Sequence, residues 1–143
     1  MSRLCLPACA LVLTLSALSF GIAADDKHAG SHEDCAKACN DCQRLCDMCS
    51  THCAKLISEG KKEHLATLGT CRDCATVCSA AASIVARKGP FSEIICMSCA
   101  DACKQCATEC GKQGDDSMMK KCADECRKCQ KACEEMLKEK VAK

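Results

Sequence analysis

Cys35, Cys39, Cys42, Cys46, Cys49 and Cys53 succeed one another at steps of 4, 3, 4, 3 and 4 residues. The same stepping returns at Cys71, Cys74 and Cys78, at Cys96, Cys99, Cys103, Cys106 and Cys110, and at Cys122, Cys126, Cys129 and Cys133. Residues three and four apart share a face of an α-helix, so each series is a stripe of sulfur along one side of one helix. These are the a and d positions of a heptad, which point into a bundle core. Cysteine sulfur there can act as a small hydrophobe, close disulfides, or ligate Cu(I), Zn(II) or iron–sulfur clusters.

The spacing separates these chemistries. As a mere hydrophobe, each cysteine forgoes about 1–2 kcal/mol of burial that Leu, Ile or Val would supply. Within a helix, Cβ atoms at these steps stand about 5–6 Å apart, whereas a disulfide wants about 3.8 Å. Bridges between facing helices leave a disulfide-rich structural envelope protein as one alternative. A metal held in line between two sulfurs needs them about 4.5 Å apart, within reach of a three- or four-residue step. The close CxxC run ending in Cys-Pro that marks iron–sulfur ferredoxins is absent. Zinc wants tetrahedral sites, which a continuous helical seam does not readily present, and four thiolates around it bury about two negative charges. One Cu(I) per thiolate is neutral. Cu(I), many ions per chain, therefore fits best, with a zinc or general soft-metal detoxification buffer as a further alternative. The lone CxxC at Cys71–Cys74 is one step of a stripe, with no βαβ pattern to make it a redox pair. No nucleophile–base pair or Gly-rich phosphate loop appears, so the expectation is a binding protein and not an enzyme.

Four helices must carry these stripes. The first is expected from His32 to Ser58, with Ser31 as N-cap and Gly60 as stop; the second runs from Lys61 to Arg87, ending at Gly89-Pro90. The third starts at the N-cap Ser92 and ends before Gly114, and the fourth runs from Asp115 or Asp116 to about Lys140. Short connections favour antiparallel neighbours, hence an all-α, up-down-up-down four-helix bundle with a cysteine-lined core.

The 143 residues suit one domain. Residues 1–24 have the layout of a signal peptide: Arg3, an apolar run from Leu4 to Phe20, then Gly21-Ile22-Ala23-Ala24. Residues 25–31 read as a flexible polar tail and 32–143 as the metal-binding domain. That layout predicts export, to the periplasm or beyond the cell. Loss of Cys5 and Cys9 would leave 18 of the 20 cysteines, and loss of Arg3 would bring Lys and Arg to 19 against 19 acidic residues. A balanced charge offers nothing to nucleic acid, or to a membrane once the signal is gone. Phe91 would be the sole aromatic left to the core.

The repeats Cys35-Ala36-Lys37-Ala38-Cys39-Asn40-Asp41-Cys42 and Cys122-Ala123-Asp124-Glu125-Cys126-Arg127-Lys128-Cys129 resemble those of the bacterial copper storage proteins, cysteine-rich four-helix bundles, over about His32 to Lys140. The resemblance implies Cu(I) ions strung along the core between thiolates, and homo-oligomers, commonly tetramers.

Antiparallel packing would gather Ile84, Val85, Phe91, Ile94, Ile95, Met136 and Leu137 at one end as an apolar plug. The other end would hold His64, Met118 and Met119, soft donors able to hand copper inward, and so the candidate mouth. His28 and His32 could capture metal ahead of the bundle, and Met48 and Met97 lie beside the seams.

Overall fold

The computed structural model describes residues 26–141, with side chains placed from 31 to 138. Residues 1–24, read from sequence as a signal peptide and including Cys5 and Cys9, lie outside the described residues, as does the His28 side chain. Four helices account for nearly all of the rest: α1 Asp26–Ser58, α2 Leu65–Ala86, α3 Ser92–Gly111 and α4 Ser117–Val141. A single 3-10 turn, Lys62–His64, leads into α2. No strand occurs among the described residues. Residues 26–31, expected as a tail, are instead the first turns of α1, so Ser31 caps nothing.

The turns are built by local hydrogen bonds. Gly60, at φ 94°, ends α1 in a Schellman motif: Lys61 N–H donates to Leu56 C=O and Gly60 N–H to Ile57 C=O, both at 3.0 Å. The same pair of bonds closes α2, from Gly89 to Ile84 at 3.0 Å and from Lys88 to Val85 at 2.9 Å. Here Lys88 itself adopts the left-handed conformation, at φ 51°. Ser92 does not cap α3 as expected. It is the first helical residue, and its buried hydroxyl donates to Gly89 C=O at 2.7 Å. Asp116 does cap α4, accepting from the N–H groups of Met118 and Met119 at 3.0 Å each.

Each helix packs on two neighbours, in the ring α1–α2–α3–α4–α1. Sulfur contacts fix the directions. Rising numbers on α1 meet falling numbers on α4 (Cys39 with Cys133, Cys42 with Cys126, Cys46 with Cys122), and α2 meets α3 likewise (Cys71 with Cys110, Cys74 with Cys103, Cys78 with Cys99). Diagonal α1 and α3 run the same way, Cys35 meeting Cys96 and Cys46 meeting Cys106. The bundle is therefore up-down-up-down, and its core is sulfur interleaved with alanine.

Candidate metal centre

All eighteen cysteines from Cys35 to Cys133 are buried and free. Their sulfurs touch along the whole bundle axis. Cys35 lies 3.6 Å from Cys96 and 3.7 Å from Cys133; Cys42 lies 3.8 Å from Cys103 and 3.7 Å from Cys126; Cys71 lies 3.6 Å from Cys110. Contacts within one helix are longer, 4.0 Å for Cys42–Cys46 and 3.9 Å for Cys74–Cys78. The shortest sulfur contacts thus cross between helices, including both diagonal partners α1 and α3.

Four-sulfur groups result. In each of Cys39/Cys99/Cys129/Cys133, Cys42/Cys74/Cys78/Cys103, Cys46/Cys106/Cys122/Cys126 and Cys49/Cys71/Cys110/Cys122, every Sγ is within 4.8 Å of the others. This corrects one step of the reading from sequence. A single seam does not present a tetrahedral donor set, but four seams converging on one axis do.

Sulfur–sulfur contacts and burial raise many of these thiols above the ordinary thiol value, and sulfur contacts lower others, Cys42, Cys74, Cys99 and Cys122 among them. Burial, then the neighbouring Cys49, pushes Cys53 up to about 12. The contact with Cys133 pulls Cys96 down, but contact with Cys35 and burial prevail and leave it at about 12. Cys46 is raised by its contacts with Cys106 and Cys122, and Cys103 by those with Cys126 and Cys129. Where sulfurs share protons, one partner ionises at the others' expense. Its contact with Cys110 helps bring Cys106 down to about 6, a thiolate at neutral pH that can meet a cation without first losing a proton.

The bundle ends differ as expected in outline, with changes of membership. Val85 and Met136 are fully buried, and Ile84, Ile95 and Leu137 partly so. Phe91 and Ile94 are not part of any plug; they are 63% and 61% exposed. At the other end His64 is buried with no hydrogen-bond partner for Nδ1, Met119 is fully buried, and Met118 is partly buried against the core. Met48 and Met97 face outward, 45% and 52% exposed, away from the sulfurs. His32 is partly buried on α1.

Sequence reasoning missed two contacts at the same end. His52 Nε2 lies 2.7 Å from the Asp116 carboxylate that caps α4, and the Gln113 amide donates to the Thr67 hydroxyl at 3.0 Å. It also missed that the α2 seam continues beyond its three cysteines. His64, Thr67, Cys71, Cys74, Cys78, Ala81 and Val85 are all buried, at unbroken steps of three and four. The period was the available signal; only the residue type changed.

The Csp family, described as copper storage protein, matches residues 28–138. No curated protein sequence matches the chain. Among solved structures, the Cu(I)-bound copper storage protein BsCsp3 is 34% identical, with 75% of this chain and 98% of that one covered at a TM-score of 0.69. Metal-free copper storage protein 3 from Bacillus subtilis is 35% identical, with 73% and 97% covered at 0.64. A cytosolic copper storage protein from Streptomyces lividans, holding five coppers, is 26% identical, with 78% and 96% covered at 0.72.

The cytosolic relative overturns the expectation of a periplasmic or extracellular location, because a sulfur-lined copper bundle carries no implication of export. By the family match over residues 28–138 and the likeness to these bundles, the chain belongs to the copper storage protein family.

Proposed function

We propose that this chain stores Cu(I), many ions per molecule, as thiolate complexes along the bundle axis, with Cys35 to Cys133 as the ligands. The observation that carries the reading is the unbroken column of eighteen free, buried, mutually touching sulfurs. With Cu–S bonds of about 2.3 Å, three-coordinate Cu(I) places its sulfurs about 4.0 Å apart and two-coordinate Cu(I) about 4.6 Å. Interhelical contacts of 3.6 to 3.9 Å thus fit the first with little movement. They reach the second by small rotamer changes. A neutral Cu(I)–thiolate unit also suits a buried interior, where net charge is costly.

The role is storage and not catalysis. The reactive groups of the core are chemically alike, and the surface grooves are lined by ordinary polar side chains such as Gln43, Ser79, Thr108 and Glu125. The exposed Phe91, just before α3, and Ile94 and Met97 on it support self-association into homo-oligomers. Anaerobic titration of the reduced chain with Cu(I) against a competing chelator tests the storage reading. Saturation at about one ion per thiol is expected from shared coordination; saturation at one or two ions per chain would reject it.

The mouth is the end that holds His64, Met118 and Met119. Its support is the buried, unpartnered Nδ1 of His64 and the thioether of Met119 one seam step before Cys122. Replacing Met118 and Met119 by Ala should slow copper uptake in stopped-flow while leaving the final copper count unchanged. Equal rates for variant and parent would remove the mouth from this end.

A further inference from the structure

The core sulfurs are sealed. None of the eighteen cysteines is more than 2% exposed, and the grooves between helices have no cysteine in their lining. Copper therefore reaches the column only when part of the bundle moves aside. At the end that holds His64 and Met119, the closing segments are not equally well held. α1 leaves through the Gly60 turn with Cys53 fully buried behind it. α3 keeps Cys106, Ala107 and Cys110 buried to its last turn, and the N–H groups of Lys112 and Gln113 bond back to it. α4 enters under the Asp116 cap, which His52 also holds, and its Met119 is fully buried.

Residues 61–70 have the least to hold them. Neither Lys61, ahead of the 3-10 turn, nor His64, ahead of α2, makes a side-chain capping hydrogen bond. Leu65 is 54% exposed, and Ala66 and Gly69 lie in solvent. Leu68 alone brings apolar surface onto the core, and it is partly buried. The two fully inward positions are polar: His64, whose Nδ1 has no partner, and Thr67, whose hydroxyl accepts from the Gln113 amide at 3.0 Å. An unpaired buried nitrogen opposes closure, and a segment with few buried apolar contacts is where a fold opens locally. Gly69 stands between this segment and Cys71. It is a helical glycine with nothing within 4 Å of where a Cβ would sit, so packing does not require it. What it does is weaken the helix at that point.

We propose that residues 61–70 are the gate of the copper column, opening by local unwinding hinged at Gly69 and held shut by the Thr67–Gln113 hydrogen bond. Opening hydrates the His64 ring and uncovers Cys71, the next inward position of the α2 seam. Cys71 touches Cys106 at 3.7 Å and Cys110 at 3.6 Å, so an ion caught there passes straight to the α3 sulfurs. The gate rests on the reading that the mouth lies at this end.

Gly69→Ala introduces no clash and should make the gate about fivefold harder to open. In the reduced, metal-free chain, hydrogen exchange at the amides of residues 65–70 should slow about fivefold. Stopped-flow uptake of Cu(I), supplied anaerobically as its acetonitrile complex, should slow by the same factor, with the final copper count unchanged. Gln113→Ala removes the closing hydrogen bond and should speed both, again about fivefold. Asn40→Ala, exposed in the middle of α1, raises helix propensity away from the gate and should change neither. Exchange or uptake unmoved by Gly69→Ala would overturn the gate, as would equal slowing by Asn40→Ala. The Met118→Ala/Met119→Ala variant keeps the two readings apart. If it slows uptake and Gly69→Ala does not, the mouth stands and the gate falls; if neither slows it, both fall.

Discussion

Anaerobic loading with Cu(I) raises the melting temperature of the reduced chain by several tens of degrees. The metal-free core explains the size of the effect. Its largest fully buried side chains are Met119, Met136, Val85 and Thr67, and the rest of it is cysteine and alanine with Ser50, His64 and Ser92. Phe91, the one aromatic among the described residues, stands in solvent. Against a Leu or Ile at the same position, each buried cysteine forgoes about 1–2 kcal/mol of apolar transfer, so the metal-free bundle has little hydrophobic reserve. A thiolate-bound metal ties helices that are otherwise held by weak sulfur contacts. Structural thiolate sites can contribute about 10 kcal/mol or more to folding because the unfolded chain offers no preformed site. In a domain of this size each net kcal/mol moves the midpoint by about 3–5 °C. Net stabilisation of about 10 kcal/mol therefore places the two melts tens of degrees apart. Scanning calorimetry on the same preparation with and without Cu(I), under one reductant, measures the gap. Coincident transitions would mean the metal does not bridge the helices.

The architecture was legible because sulfur marks its own azimuth. On α1 and α3 the 3-and-4 stepping marks the core face, and each marked cysteine is buried, with Ala36, Ala100 and Ala107 filling beside them. The same marker could have corrected the apolar plug. Ile94 is two residues from Cys96, roughly opposite it around the helix, so a residue facing solvent was already implied. On α2 the residue type changes after Cys78, but Ala81 and Val85 keep the same period and take the next two inward positions. What a one-dimensional spacing could not give was the four-way convergence. Steps along one helix set the distance from Cys42 to Cys46, whereas the shorter gap from Cys42 to Cys126 depends on how closely α1 and α4 approach. The latch between His52 and Asp116 was hidden for the same reason, its partners lying 64 residues apart.

Acid and alkali should act in opposite senses on the loaded and metal-free forms. In the metal-free bundle Cys53 and Cys96 are held at about 12, against 9.0 for an unperturbed thiol. A folded-state value above the unfolded one means the fold prefers the protonated group. Its stabilising contribution is complete below pH 9 and is lost as pH rises through the folded values. Between about pH 9 and 12 each such thiol should cost the fold about 1.4 kcal/mol per pH unit. Cys46 and Cys103, raised by the sulfurs around them, act in the same direction. Cys42, Cys74, Cys99 and Cys122, lowered by their sulfur contacts, act in the opposite one, so Cys53 and Cys96 at the ends of the column carry the alkaline effect. Copper reverses the sign. Each Cu(I) bound to a protonated thiol must displace its proton, so apparent affinity should fall about tenfold per pH unit for every proton released. Chelator competition at pH 5.5 and 7.5 should show that loss, and melts of the metal-free chain at pH 7 and 10 should show alkaline destabilisation. Flat responses in both would mean the core sulfurs are already ionised at neutral pH. An anionic core of that kind would need counter-cations among the seams, and His64 is the one buried basic side chain among the described residues.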